Sequence, residues 1–352
     1  MTLPTVAGVL TADQVSATID SIAADQLPSG LIPWARGVHG DAWNHTEAVM
    51  ALALGGRWRE AERAYDWLIG SQRPDGSWHQ YYLADGVEEP KLDANICAYP
   101  ATGVWHHWLL TRDRGFIETM WPMVERAIDF VLDLQTARGE VRWARHVDGT
   151  PWPYALLTGS SSISHSLRCA IALAEELGLE RPDWELSAAA LVRTIRHDPE
   201  AFLPKERWAM DWYYPVLVGA LRGEPARDRL EAGWERFVME GRGVRCVSDR
   251  PWVTAAETCE CALAALGADL PERALALFCW AQQLRTDDGA YFTGLVHPQQ
   301  VTFPSDERST YTAAAVVLAA DALSHTTPAS GLFVDHDLLP SVDGLEAELD
   351  LD

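Results

Sequence analysis

The sequence predicts an all-α protein, an (α/α)6 toroid of six helical hairpins, on three observations. The stretch from Arg57 to Arg112 reads as an amphipathic helix, a turn with an aromatic loop, and a helix that is apolar nearly all round. That unit returns until six copies are counted. A Gln-x-x-x-Gly turn recurs at Gln26 to Gly30, Gln72 to Gly76 and Gln135 to Gly139, with Gln283 to Gly289 as a looser copy. Units that cannot bury their apolar faces alone must stack. Six can close into a ring, with the apolar helices as an inner barrel, the amphipathic ones outside, and the outer-to-inner loops gathered at one mouth.

Residues 1–10 read as an arm, residues 11–323 as the barrel and residues 324–352 as an acidic, solvated tail. The first outer helix starts near Thr11, with Val15, Ile19 and Ile22 on one face. Its loop carries Trp34 to the mouth, and Asp41 opens the first inner helix with Trp43, Asn44, His45 and Glu47 close behind. Asn44-x-x-Glu47 has the spacing of a capping box, as does Thr254-x-x-Glu257. In the second hairpin Ala61, Ala64, Tyr65 and Leu68 share a face, Pro74 to Gly76 end the helix, and Asp93 is placed as the N-cap of the next. The third outer helix spans about Gly115 to Gln135. A long loop containing Trp143, Asp148 and Trp152 follows, and Ser160 to Ser162 are placed at the start of the inner helix that carries His165. Asp211, Trp212 and Tyr213 begin the fourth inner helix, Thr254 the fifth and Ser309 the sixth. The loops before the last two bring Asp249, Arg250, Trp252, Glu307 and Tyr311 to the mouth.

At 352 residues the chain is long enough for two domains, yet six hairpins use nearly all of it as one. A net charge of −23 argues against nucleic acid or an anionic membrane as partner, since phosphates need a basic face. No run of eighteen apolar residues and no signal-peptide pattern is present, so a cytoplasmic location is expected. The six cysteines follow no disulfide or zinc spacing and read as reduced core residues; no cofactor or metal is expected.

Carboxylates, amides and hydroxyls at the inner-helix starts, among many tryptophans, suit a carbohydrate. Indole faces take the C–H faces of a sugar and carboxylates take its hydroxyls. Hydrolysis of a glycoside needs two carboxyl groups across the scissile bond, roughly 5 to 9.5 Å apart. In a six-hairpin ring, hairpins three apart face each other, so the candidates pair as Asp41 with Asp211, Asp93 with Asp249 or Glu257, and Asp148 with Glu307. Asp211 ranks first for the aromatic residues beside it, then Asp93, Glu307 and Asp148. The expected binding residues are Trp34, Asp41, Trp43, His45, Asn95, Trp152, His165, Trp212, Tyr213, Asp249, Arg250, Trp252, Glu257 and Tyr311.

The chain resembles the six-hairpin glycosidase superfamily, nearest to the glucoamylase-like family 15 enzymes. The resemblance is carried by EAERAYDWLIGSQRPDGSW, TRDRGFIETMWPMVERAIDFVL and DDGAYFTGLV. It implies an (α/α)6 barrel with the general acid in the third loop and the base in the sixth, where this chain has Trp143-Ala144 and His297-Pro298-Gln299-Gln300. A weaker resemblance, in the Q-x-x-x-G-x-W turns, is to the prenyltransferase and squalene cyclase toroids, whose D-x-D-D and D-D-x-x-D motifs are missing here. A small glycoside or sugar conjugate is therefore the expected substrate. A prenyl-processing toroid and a carbohydrate-binding protein without catalysis are the alternatives.

Overall fold

The computed structural model describes residues 2–345. Its outer helices are α1 (Ala12–Asp25), α3 (Trp58–Ser71), α6 (Arg114–Leu132), α8 (Pro182–His197), α10 (Gly223–Phe237) and α12 (Pro271–Ala281). The inner ones are α2 (Ala42–Leu54), α4 (Ala94–Ala98) continued by α5 (Pro100–Thr111), α7 (Leu157–Leu177), α9 (Ala209–Leu217), α11 (Ala255–Gly267) and α13 (Thr310–Ser324). Successive inner helices pack on one another, and α13 returns to α2, which closes the ring. The (α/α)6 barrel expected from the hairpin repeat is therefore the fold.

The polar and apolar patterning of each helix matches its layer. Every residue of α2 except Asn44 is buried, whereas α3 buries only Ala61, Ala64, Tyr65 and Leu68. The second inner helix is broken at Tyr99 because Pro100 has no N–H to continue the ladder.

The repeated glutamine and glycine have one job in each copy. The Gln26 side-chain amide donates to the Gly30 carbonyl and to the Glu60 carbonyl of the next outer helix, 3.0 and 2.8 Å away. Gln72 does the same to Gly76 and Met123, and Gln135 to Gly139 and Ser187. Each glycine has a positive φ and lies against the backbone of that next helix, where no side chain fits. In the last copy the glutamine is replaced from the other side: the Thr18 hydroxyl of α1 donates to the Gly289 carbonyl, 2.9 Å away. Gly289 thus seats the sixth hairpin on the first.

Five antiparallel strands of two or three residues, from Val238–Met239 to Val301–Thr302, tie the fifth and sixth loops together at the rim. The barrel wall itself stays helical.

Three readings of the sequence need correction. Residues 327–345 are not a solvated tail: Leu332, Phe333, Leu339 and Val342 are buried, and the Arg168 guanidinium reaches the carbonyls of His336, Leu339 and Pro340. This segment closes the end of the barrel opposite the mouth, and the rest of the acidic run, 346–352, lies outside the described residues. Because Arg168 satisfies three buried carbonyls, Arg168→Ala is expected to lower unfolding stability by about 2–4 kcal/mol in a denaturant titration. Second, α7 starts at Leu157, so Ser160 to Ser162 lie buried inside it rather than capping it. Third, α9 starts at Ala209 with Trp208 as its cap, which places Asp211 in the first turn instead of at the cap.

Candidate active site

The loops at the mouth enclose a cavity of about 380 Å³. Three carboxyls line it, and each is placed by the start of an inner helix. Asp41 caps α2, its Oδ1 accepting from the N–H groups of Trp43 and Asn44 at 2.9 and 2.8 Å while the Asn44 amide holds Oδ2. Asp93 caps α4 and accepts from Asn95 and Ile96 at 2.9 and 3.2 Å. The strand Leu92–Asp93 pairs with Ala144–Arg145, which brings the Trp143 indole N–H of the third loop onto the Asp93 carboxyl. Glu257 comes from the first turn of α11, in the fifth hairpin. The capping box predicted there does not form: the Thr254 hydroxyl makes no cap bond and is buried without a partner among the described residues. Capping therefore does not account for Glu257, which stands in the cavity beside the Cys246 thiol.

Burial governs the electrostatics. It pushes Asp93 up to about 6, against hydrogen bonding from Ile96 and the charge of Lys91, and it also raises Asp41. A carboxyl kept protonated to higher pH suits a proton donor. Around these groups stand the rings of Trp34, Trp43, Tyr81, Tyr214, Trp252 and Tyr311. Trp34 and Trp43 flank Tyr311 at 5.5 and 5.3 Å between ring centres, and Tyr81 stacks on His39 at 3.9 Å. Three buried polar atoms on the same walls, Gln80 Oε1, Asn95 Oδ1 and Thr254 Oγ1, have no hydrogen-bond partner among the described residues. Unmet buried polar groups next to aromatic faces are what a polyhydroxylated ligand satisfies.

Of the residues singled out from the sequence, Trp34, Asp41, Trp43, Asp93, Asn95, Trp252, Glu257 and Tyr311 meet in this cavity. Asp211, ranked first, does not. The earlier start of α9 aims Met210 and Tyr214, one turn apart, at the cavity, and the Asp211 carboxyl faces a groove behind it and accepts from the Thr158 hydroxyl at 2.6 Å. Trp212 packs on Phe237 and donates to the Arg229 carbonyl. Tyr213 is fully buried beneath the cavity floor. Glu307 lies behind the wall, accepting from the Trp34 indole at 2.9 Å and the Thr293 hydroxyl at 3.0 Å. Asp148 is exposed in a turn, where its own Thr150 N–H holds it below the usual carboxylate range. Asp249 is exposed and paired with Arg207 at 2.7 Å, and Arg250 is exposed beside it. His45 is a packing group, bridging the Ile32 N–H and the Ala64 carbonyl. His165 points to the closed end, against Phe333 and the Leu332 carbonyl. Trp152 stacks on His146 and meets Trp143 edge-on at 5.0 Å, outside the cavity lining.

Sequence reasoning passed over Gln80, Tyr81, Thr158, Met210, Cys246 and Thr293, all of which line the cavity. Met210 and Thr158 had a usable signal, since each sits four residues before another inward residue, Tyr214 and Ser162. Trp143, absent from the expected binding residues, is a direct partner of Asp93.

No protein-family model matches the chain. It is 52% identical over 350 residues to the MMP endo-(1,4)-3-O-methyl-alpha-D-mannosidase of Mycolicibacterium hassiacum, across 99% of this chain and 96% of that one. The chain belongs to that mannosidase's family. The fold also agrees with distant solved structures. A wild-type glycosidase superposes with a TM-score of 0.68 at 14% identity, covering 91% of this chain and 97% of its own. Cellobiose 2-epimerase from Spirochaeta thermophila does so at 0.63 and 12% identity, over 89% and 97%. At such identities the likeness concerns the barrel alone. Membership in the mannosidase's family removes the prenyl-processing alternative, and no helix among the described residues is long and apolar enough to cross a membrane.

Proposed function

We propose that the protein hydrolyses internal α-(1→4) bonds in chains of 3-O-methylmannose, using Asp41, Asp93 and Glu257 at the mouth. The observation that carries this reading is the meeting of three carboxyls with six aromatic rings in one cavity, in a chain 52% identical to an enzyme of that specificity. Asp41 and Asp93 come from adjacent hairpins and Glu257 from the hairpin opposite the second. A glycosidic oxygen held between them receives a proton from the buried Asp93 as its bond to the anomeric carbon breaks, while Glu257 takes a proton from the water that adds to that carbon. Asp41, fixed by three hydrogen bonds, and the unmet Gln80, Asn95 and Thr254 atoms orient the sugar hydroxyls. The apolar lining of Met210, Ile96 and Ala256 suits a substrate with a methyl ether in place of one hydroxyl.

A panel of α-(1→4)-linked oligosaccharides tests the specificity: 3-O-methylmannose chains should be cut, and unmethylated mannose and glucose chains at least about 10-fold more slowly, since one methyl group in an apolar pocket is worth roughly 1–3 kcal/mol. Equal rates on all three would refute the substrate assignment. The proton-donor role has its own check. The Trp143 indole favours the ionised Asp93, so Trp143→Phe raises the Asp93 pKa further. Because the donor works protonated, the alkaline limb of the kcat/KM profile should then move to higher pH; a shift to lower pH would contradict the assignment.

A further inference from the structure

The fifth and sixth loops meet as the strands Trp252–Thr254, Gly294–Val296 and Val301–Thr302, paired antiparallel in that order. Residues directly opposite in such a ladder share a face. One face is cavity wall: Trp252 and Thr254, two apart on their strand, both line the cavity. On that face Trp252 stands opposite Val296, and Val296 opposite Val301. The other face turns inward, with Val253 buried and Leu295 packed on the core. Phe303, the residue after the last strand, meets Trp252 edge-on at 5.1 Å between ring centres, and its carbonyl accepts from the Trp252 indole at 3.0 Å. The row Trp252, Val296, Val301 and Phe303 therefore starts at the cavity and runs out over the rim. Its outer end is open to solvent, Val301 being 57% and Phe303 52% exposed.

An apolar row at the edge of a sheet invites unwanted pairing, and proteins normally blunt it with charge. No side chain in this row carries a charge. Its one polar group, the Trp252 indole N–H, is already taken by the Phe303 carbonyl, so the row presents only carbon surface to a ligand.

We propose that this row is an outer subsite for the same oligosaccharide, holding the methyl-bearing faces of the units that lie beyond the cleaved bond on the Glu257 side. This rests on the reading of the cavity as a 3-O-methylmannose site. A cut inside a chain leaves sugar units on both sides of the bond, and a chain held between Asp93 and Glu257 leaves the cavity over the strand that leads into α11. There it meets valine and phenylalanine rather than hydroxyls or carboxylates. A free 3-hydroxyl laid on Val296 and Val301 loses its water and gains no partner, whereas a methyl ether buries carbon against carbon. Methylation is thus read twice, in the cavity and again on the rim. Four side chains fall far short of the roughly 1,000 Å² that a stable protein partner needs, which favours the sugar over a second copy of the chain.

The test is kcat/KM of the full chain on fully methylated α-(1→4)-linked mannose chains of increasing length, and on long chains whose outer units carry free 3-hydroxyls. With the unsubstituted protein kcat/KM should rise at least about tenfold from the shortest chain cut to the longest, and fall by about as much when the outer units lose their methyl groups. Val301→Ser combined with Phe303→Ala should reduce each preference to within about threefold, through KM rather than kcat. If the double variant does not fold, Val301→Thr decides, since threonine suits a strand and nearly keeps the shape: its hydroxyl should cut the methyl preference about threefold or more. A folded variant that keeps both preferences overturns the proposal, as does a length preference indifferent to methylation. Sedimentation covers the other occupant: a dimer that the double variant dissociates would make the row an interface between copies and overturn the sugar subsite. Cleavage of methylated chains with neither preference removes the outer subsite alone. If the unsubstituted protein neither cuts nor binds such a chain of any length, the substrate reading falls and the subsite with it.

Discussion

Glu257→Gln is expected to lower kcat by about 10² or more with the fold intact, and Asp93→Asn to do the same. These substitutions separate catalysis from capping. Asn caps a helix as well as Asp does, so Asp93→Asn leaves the N-terminus of α4 satisfied and should shift stability by only a few tenths of a kcal/mol. Glu257 has no cap to lose, because Thr254 and Glu257 do not form the box their spacing suggested. Asp41→Asn should weaken substrate binding as well as turnover, since both oxygens of Asp41 already hold Trp43 and Asn44 in place. By contrast Asp148→Asn, Asp249→Asn and Asp211→Asn should keep near-normal kcat, as their carboxyls lie outside the cavity. Kinetics and thermal melts on this set check the assignment, and full activity in Glu257→Gln would sink it.

Gly76→Ala is expected to be the most damaging single change in the scaffold. The glycine sits at φ +86°, and an added Cβ would overlap the Arg126 carbonyl oxygen, a backbone atom that cannot step aside. Gly149 provides the control, with φ +91° and open space around the added atom. Gly149→Ala carries only the left-handed strain of roughly 1–2 kcal/mol. Gly76→Ala adds separation of the second hairpin from the third outer helix and breaks the Gln72 bridge to Met123, so its loss should exceed about 4 kcal/mol, the exceptional range for one substitution. Urea denaturation of the two variants side by side measures the difference; equal losses would show that the turn does not seat one hairpin on the next.

The barrel was legible in the sequence because its construction rule is local and repeated. Helical periodicity tells a one-faced helix such as α3 from an all-round apolar one such as α2, and the Gln-x-x-x-Gly turn marks where each pair bends. What the turn does could not be read locally, because the partners of Gln26, Gln72 and Gln135 lie 34 to 52 residues further on. The site was legible in part for the same reason. Asp93 is a cap in the sequence and in the structure, Asp41 caps α2 where the sequence offered a capping box at Asn44, and position at an inner-helix start was enough to place both at the mouth. Asp211 failed on a shift of two residues, which turns a side chain by about 200° around a helix. Trp208 at the cap offers no hydroxyl or carboxyl to signal that start. Glu260 left no mark in the sequence at all, since a glutamate inside an apolar helix becomes meaningful only when three tyrosines from other hairpins close on it.

The most direct test of hydrolysis at this mouth is mass analysis of the products from a defined α-(1→4)-linked 3-O-methylmannose oligosaccharide, with the unsubstituted protein and with Glu257→Gln. The account predicts two shorter chains whose masses together equal the substrate plus one water, formed by the unsubstituted protein and suppressed by about 10² or more in Glu257→Gln. A product of unchanged mass, as isomerisation or epimerisation would give, or equal cleavage by both proteins, would contradict it.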